Sequence, residues 1–150
     1  MKLYLAPLEG ITNHIYRKAL YECFGGFDKY FIPFIRAKQN LNFSGREKKD
    51  IDPENNQGMY AVPQILTRNA EDFLRTASQL AGLGYREINL NLGCPSKTVV
   101  TKGCGAGFLD RPDELERFLE HIFADTDLKI SIKTRLGMDD AEEFEDLLEI

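Results

Sequence analysis

The chain has 150 residues, 43% of them hydrophobic and 29% charged, with a net charge of −5. That is enough apolar side chain to build the core of one ordinary domain. No apolar run approaches the roughly 18 residues that a membrane helix needs, and the acidic balance excludes a generic nucleic-acid binder, so any RNA contact has to be local.

The opening MKLYLAPLEG holds one Lys, a short apolar run and an early Pro and Glu. It does not read as a signal peptide, and a cytoplasmic protein is expected. Cys23, Cys94 and Cys104 cannot all pair, and none has CxxC spacing. Neither a zinc site nor a redox pair is indicated, a reducing compartment fits, and no metal is expected.

Strand and helix alternate along the chain. Lys2 to Ala6 reads as a first strand, ending at Pro7, with Leu8-Glu9-Gly10 as the turn. Thr12 or Asn13 caps a helix whose inward face is Ile15, Ala19, Leu20 and Cys23, which places Cys23 in the core. Tyr30 to Ile35 is a second strand, although Pro33 removes a ladder donor there. Arg36 to Gly58 is long and polar, with Arg36, Lys38, Arg46, Lys48 and Lys49. It reads as a solvated loop with some helical turn, or else as a local RNA-facing basic patch.

Tyr60 to Leu66 is the third strand, with Val62 and Gln64 on one face. Asn69 caps a helix carrying Phe73, Leu74, Ala77 and Leu80, which Gly82 and Gly84 end. In the fourth strand Ile88, Leu90 and Leu92 alternate with Asn89 and Asn91. Inward amides are expensive to bury without partners. A bound ligand would supply partners, and so would backbone groups inside a barrel. Asp110 caps the next helix, with Leu115, Phe118, Leu119 and Ile122 buried. Leu128 to Arg135 is the fifth strand, with Ser131, Lys133 and Arg135 on one face. Asp139 starts a last helix. His14 and His121 are isolated on helical patterns and carry no assigned role.

Repeated β/α units mean a parallel sheet. About five strands are present, whereas a closed TIM (β/α)8 barrel has eight in typically about 250 residues. The chain therefore reads as the first five β/α units of a TIM barrel, a truncated catalytic domain over 1–150. A sheet cut there leaves unpaired edges, so self-association or completion by the missing half of the barrel is expected.

One stretch stands out chemically. Cys94 follows the fourth strand at once, with Pro95 behind it and a loop of Gly103, Gly105 and Gly107 beyond. Asn91-Leu92-Gly93-Cys94-Pro95, then Val99 and Gly103-Cys104-Gly105-Ala106, resembles the signature of the tRNA dihydrouridine synthases, flavin enzymes on a TIM barrel. Ala6-Pro7-Leu8-Glu9-Gly10 resembles the family's opening strand and turn, usually written with Met where Leu8 stands. Ile132-Lys133-Thr134-Arg135-Leu136-Gly137 resembles its lysine-bearing strand.

The resemblance implies reduction of the C5=C6 bond of a uridine in tRNA, with NADPH as the reductant and FMN as the cofactor. It implies Cys94 as the acid that protonates C5. A thiol, with an ordinary pKa of about 8.5, stays protonated near neutrality yet releases a proton readily. It also implies FMN contacts from Pro7, Leu8, Glu9, Gln64 and Lys133, and a substrate contact from Asn91. The family's FMN phosphate site lies on later strands, so these residues alone are expected to be inactive and to bind FMN weakly. Two rivals stand beside this reading. One is another FMN barrel acting on a small molecule, in the manner of a dihydroorotate dehydrogenase; the other is a non-catalytic fragment.

Overall fold

The computed structural model describes residues 1–37, 39 and 42–150; Lys38 of the basic stretch lies outside them. Five parallel strands form one curled sheet in simple order. They are β1 (Tyr4–Leu5), β2 (Lys29–Arg36), β3 (Ala61–Leu66), β4 (Glu87–Leu92) and β5 (Lys129–Thr134). The helices between them are α1 (His14–Cys23), α2 (Gly45–Ile51), α3 (Ala70–Gly82), α4 (Lys97–Val100), α5 (Pro112–Ala124) and α6 (Phe144–Leu148). Consecutive parallel strands joined by helices are the first five units of a TIM barrel, as the alternation predicts. No helix among the described residues is long and apolar enough to cross a membrane.

The strand ladder shows how β2 accommodates Pro33. Ile32 pairs with Pro63, but Ile35 pairs with Ile65, so β2 takes three steps where β3 takes two. The extra residue is a bulge, which removes the need for a donor at Pro33. It also brings both Ile32 and Ile35 into the core, where strict alternation would separate them.

The aliphatic face of the sheet packs on α3 and α5. Asn69 caps α3 by accepting from the Asp72 amide at 2.8 Å. The helix ends with Gly84 at φ +95°, its amide bonded to Ala81 and that of Tyr85 to Leu80. This paired closure needs a left-handed residue, which glycine supplies. Arg111 rather than Asp110 occupies the cap position of α5, because Pro112 fills the first helical position, where no amide is needed. Phe118 meets Phe73 and Phe108 edge-on at 5.9 and 5.4 Å, worth about 0.5–1.5 kcal/mol per pair beyond burial.

Two expectations fail around α1. Cys23 is exposed rather than core, as are Ile15 and Ala19. The buried residue of this helix is Arg17, at 0% exposure. Its guanidinium donates to the Thr12 carbonyl at 2.7 Å, the Asp50 carbonyl at 2.6 Å, and Asn56 Oδ1 at 2.9 and 3.3 Å. The polar stretch after β2 is therefore largely ordered. Ser44 and Glu47 form a capping box on α2, and a 3-10 turn over Pro53–Asn56 follows. Asp50 takes the His14 amide at 2.7 Å. The Tyr85 hydroxyl, pushed up to about 12 by burial, donates to the Ile51 carbonyl at 2.9 Å.

Candidate active site

The inner face of the sheet carries a charged floor at the amino ends of the strands. Glu87, 2% exposed, accepts from Lys29 at 2.6 Å and from Tyr60 at 2.9 Å, and lies 3.3 Å from Lys129. Burial pushes its carboxyl upward, but hydrogen bonds from Lys29, Tyr60, Ser131 and Lys129 outweigh this and hold it below the ordinary range. Lys29 also sits over the rings of Tyr4 and Tyr60, at 5.3 and 5.5 Å. All five strands contribute to this floor.

Above it, the inward amides satisfy one another. Asn91 Oδ1 accepts from the backbone amides of Gly93 at 3.1 Å and Cys94 at 3.0 Å. Two N–H donors require an oxygen there, which fixes the orientation of the Asn91 amide. Its nitrogen donates to Gln64 Oε1 at 2.9 Å, and Gln64 Nε2 to Asn89 Oδ1 at 2.7 Å. Asn89 Nδ2 donates in turn to Ser131 Oγ at 3.0 Å. One directional chain thus runs from the Cys94 turn across β3 and β4 to Ser131 on β5, and each amide orientation follows from the one before. Of the two partners open to the inward amides, Asn91 has taken backbone groups, and those groups belong to the turn that presents Cys94.

Cys94 is half-buried and lies outside the apolar core. Its carbonyl accepts from the Ala106 amide at 3.1 Å, which draws the glycine loop over it. Gly105 stands at φ +57°, and a Cβ there would lie 2.8 Å from the Cys94 carbonyl oxygen and from Val99 Cγ1. A Cβ on Gly107 would lie 2.7 Å from the Val100 carbonyl oxygen. These glycines are needed for close approach. Gly105→Ala is expected to cost about 2–3 kcal/mol, a fall of about 5–10 °C in Tm. Thermal melting followed by circular dichroism measures it, and an unchanged Tm would show that the loop does not depend on this contact.

Lys133 pairs in register with Asn91 on the neighbouring strand, and β4 and β5 approach closely where Gly93 faces Thr134. Its side chain is exposed and makes no ion pair among the described residues. Gln64, Asn91, Cys94 and Lys133 thus gather at the carboxyl ends of β3, β4 and β5. Pro7, Leu8 and Glu9 do not join them directly. They form the turn after β1, two strands from Gln64, where the Leu8 carbonyl accepts from Ile11 and Thr12. Leu8 and Glu9 are exposed there, and Glu9 borders a small cleft with Pro33, Phe34 and Arg46.

Cys104 is half-buried beside this site; burial pushes its thiol up against the opposing pull of Arg68, Arg36 and Lys102. The chain Gln64–Asn89–Ser131 escapes sequence reasoning, because alternation places residues on one face without telling which of them touch. No group of three or more His, Cys, Asp or Glu side chains among the described residues is arranged to hold a metal ion.

A family model described as dihydrouridine synthase matches residues 4–150. The chain is 33% identical over 147 residues to the probable tRNA-dihydrouridine synthase of Staphylococcus aureus strain COL, covering 96% of this chain and 44% of that protein. It is 34% identical over 148 residues to the tRNA-dihydrouridine(16) synthase of Cupriavidus necator, covering 93% of this chain and 45% of that protein. A tRNA-dihydrouridine(16) synthase from Ralstonia nicotianae is 33% identical over 147 residues, covering 93% of this chain and 44% of that protein. The chain thus spans less than half the length of these relatives. With its five β/α units, its cysteine turn and a match over nearly its whole length, the chain belongs to the dihydrouridine synthase family.

Proposed function

We propose that this chain is the amino-terminal part of the catalytic domain of a tRNA dihydrouridine synthase, reducing the C5=C6 bond of a tRNA uridine. The supporting observation is the Cys94 turn, pinned by Asn91 at the end of β4, with the free ammonium of Lys133 in register on the adjacent strand.

The inner face suits a flavin ring in two respects. Lys133 brings to the strand ends a positive charge with no ion-pair partner among the described residues, matched to an anionic reduced ring. Gln64 spends one nitrogen hydrogen on Asn89 and its oxygen on Asn91, so its second hydrogen is what it offers to the ring's polar edge. Lys133 and Gln64 would hold the pyrimidine end of FMN, with the backbone of Pro7, Leu8 and Glu9 beneath it. When bound and reduced by NADPH, FMN supplies the hydride for C6.

The remaining work falls to the chain's own groups. Cys94 delivers its thiol proton to C5, on the face opposite the hydride. Asn91 fixes the backbone on which the sulfur is carried, and its remaining amide hydrogen is directed toward the uracil edge. The product gains one hydride and one proton, and the thiolate left behind takes its proton back from water.

The test compares substrates. The complete flavin-loaded enzyme that contains this chain is expected to oxidise NADPH and make dihydrouridine with unmodified tRNA, and to do neither with dihydroorotate or fumarate. Turnover of the small molecules but not of tRNA would overturn the proposal in favour of a small-molecule flavin barrel.

A further inference from the structure

Three of the basic residues singled out in the stretch after β2 sit on α2. Arg46 lies 3.9 Å from Asp50, and Lys48 and Lys49 are exposed there. A second set of cations, Arg36 of that stretch among them, collects around Cys104. Arg36 ends β2, Arg68 follows β3, and Lys102 and Arg111 flank the glycine loop after β4. Each stands at the carboxyl end of its strand or in the loop that follows, so together they trace an arc along the rim where the site opens.

The centre of this arc is a pair of arginines. The guanidinium of Arg111 and the side chain of Arg68 converge on Gly103, where a Cβ would lie 3.4 Å from Arg111 Nε and 3.4 Å from Arg68 Cδ. Gly103 has φ +66°, a left-handed turn that glycine favours, and the arginines pack over it at ordinary contact distance. Both arginines share one carboxylate, Glu114, at 3.6 Å from Arg68 and 3.1 Å from Arg111. Two guanidiniums on one carboxylate leave a net positive charge, with Lys102 and Arg36 close by. Asp110 and Asp113, on the same turn, pair with neither arginine among the described residues. All three members of the cluster are close to half exposed. Such pairs contribute little to stability, and an external anion can displace Glu114 at small cost.

The geometry points to Arg68 and Arg111 as a clamp for an RNA phosphodiester beside the target uridine, with Glu114 holding the two forks in place until RNA arrives. Guanidinium forks match phosphate oxygens in a bidentate way that lysines do not. The position follows from the chain itself. Gly103 and Cys104 lead directly into Gly105, whose Cα carries the backbone against Cys94. A strand whose base enters the site must therefore pass its backbone over this rim. The net charge of −5 makes the location meaningful, because the rest of the chain repels RNA. This inference rests on the proposed tRNA substrate, but it can be judged apart from the chemistry.

The experiment measures the affinity of the complete flavin-loaded enzyme that contains this chain for unmodified tRNA across a range of salt, alongside dihydrouridine formation. The double variant Arg68→Gln, Arg111→Gln is expected to weaken binding about tenfold at 0.1 M salt and to reduce the salt slope by about two. Glu114→Gln, which frees both forks, is expected to tighten binding. Lys48→Gln, Lys49→Gln is expected to leave the slope unchanged. An unaltered slope in the arginine variant, weaker binding in Glu114→Gln, or an equal loss in the lysine variant would each overturn the clamp. If no dihydrouridine forms with any protein, the proposed chemistry fails while the slopes still decide the clamp.

Discussion

In the complete enzyme that contains this chain, replacing Cys94 by alanine is expected, on the proposed function, to lower dihydrouridine formation by about 10²–10⁴-fold, the usual contribution of a positioned acid. Mass spectrometry of digested tRNA measures the product. The substitution removes a half-buried sulfur outside the apolar core, so the fold should persist. NADPH consumption by the bound flavin in the absence of tRNA should also persist, because the thiol takes no part in that half-reaction. The two readouts together separate a lost acid from a damaged site. Cys94→Ser should fall between parent and alanine, since a hydroxyl keeps the size and a proton but releases it far less readily. Dihydrouridine made by Cys94→Ala at the parent's rate would remove Cys94 from the mechanism.

The second large effect concerns stability. Arg17→Leu is expected to destabilise the protein by about 3–5 kcal/mol, the range for breaking a buried charged cluster from one side. The arginine is fully buried, and three acceptors depend on it: the carbonyls of Thr12 and Asp50, and Asn56 Oδ1. The carboxylate of Asp50, 3.8 Å away, would keep its charge and lose this cation. Against a typical total of about 5–15 kcal/mol, that is a large share. Urea unfolding followed by circular dichroism gives the difference, and a loss under about 1 kcal/mol would show the cluster to be dispensable. Arg17→Lys should recover only part, because one ammonium cannot reach all the acceptors that the guanidinium fork spans.

Much of the scaffold was legible because β4 and α3 obey simple periods. Ile88, Leu90 and Leu92 alternate, and Phe73, Ala77 and Leu80 recur at helical spacing. The structure places all six in one core. Where polar groups anchor an element, the same rules mislead. On α1 the apolar residues Ile15 and Ala19 face outward, because Arg17 turns the opposite side of the helix toward Asp50 and Asn56. Little in the local sequence marks Arg17 as buried, since Asp50 and Asn56 lie more than 30 positions along the chain. The stretch after β2 looked like a solvated loop for the same reason: its order comes from that distant guanidinium. Pro33 looked awkward in a strand until the bulge against β3 relieved it.

The site divides in a similar way. Gln64, Asn91, Cys94 and Lys133 could be placed at neighbouring strand ends from alternation together with the family motifs. Their mutual bonding could not, because amide orientation is decided by the two backbone donors at Gly93 and Cys94. The Arg68–Arg111 pair was not visible either. The two are 43 positions apart, and only the fold brings both to Gly103 and Glu114.

The amide chain from Asn91 to Ser131 also bears on motion. A sulfur on an ordinary loop would wander with that loop, and each catalytic encounter would have to wait for its return. Here the turn is tethered through Asn91 to three strands, so its thermal excursions should match those of the sheet. The entropy of aiming the proton is then lost once, during folding, and not again at every turnover.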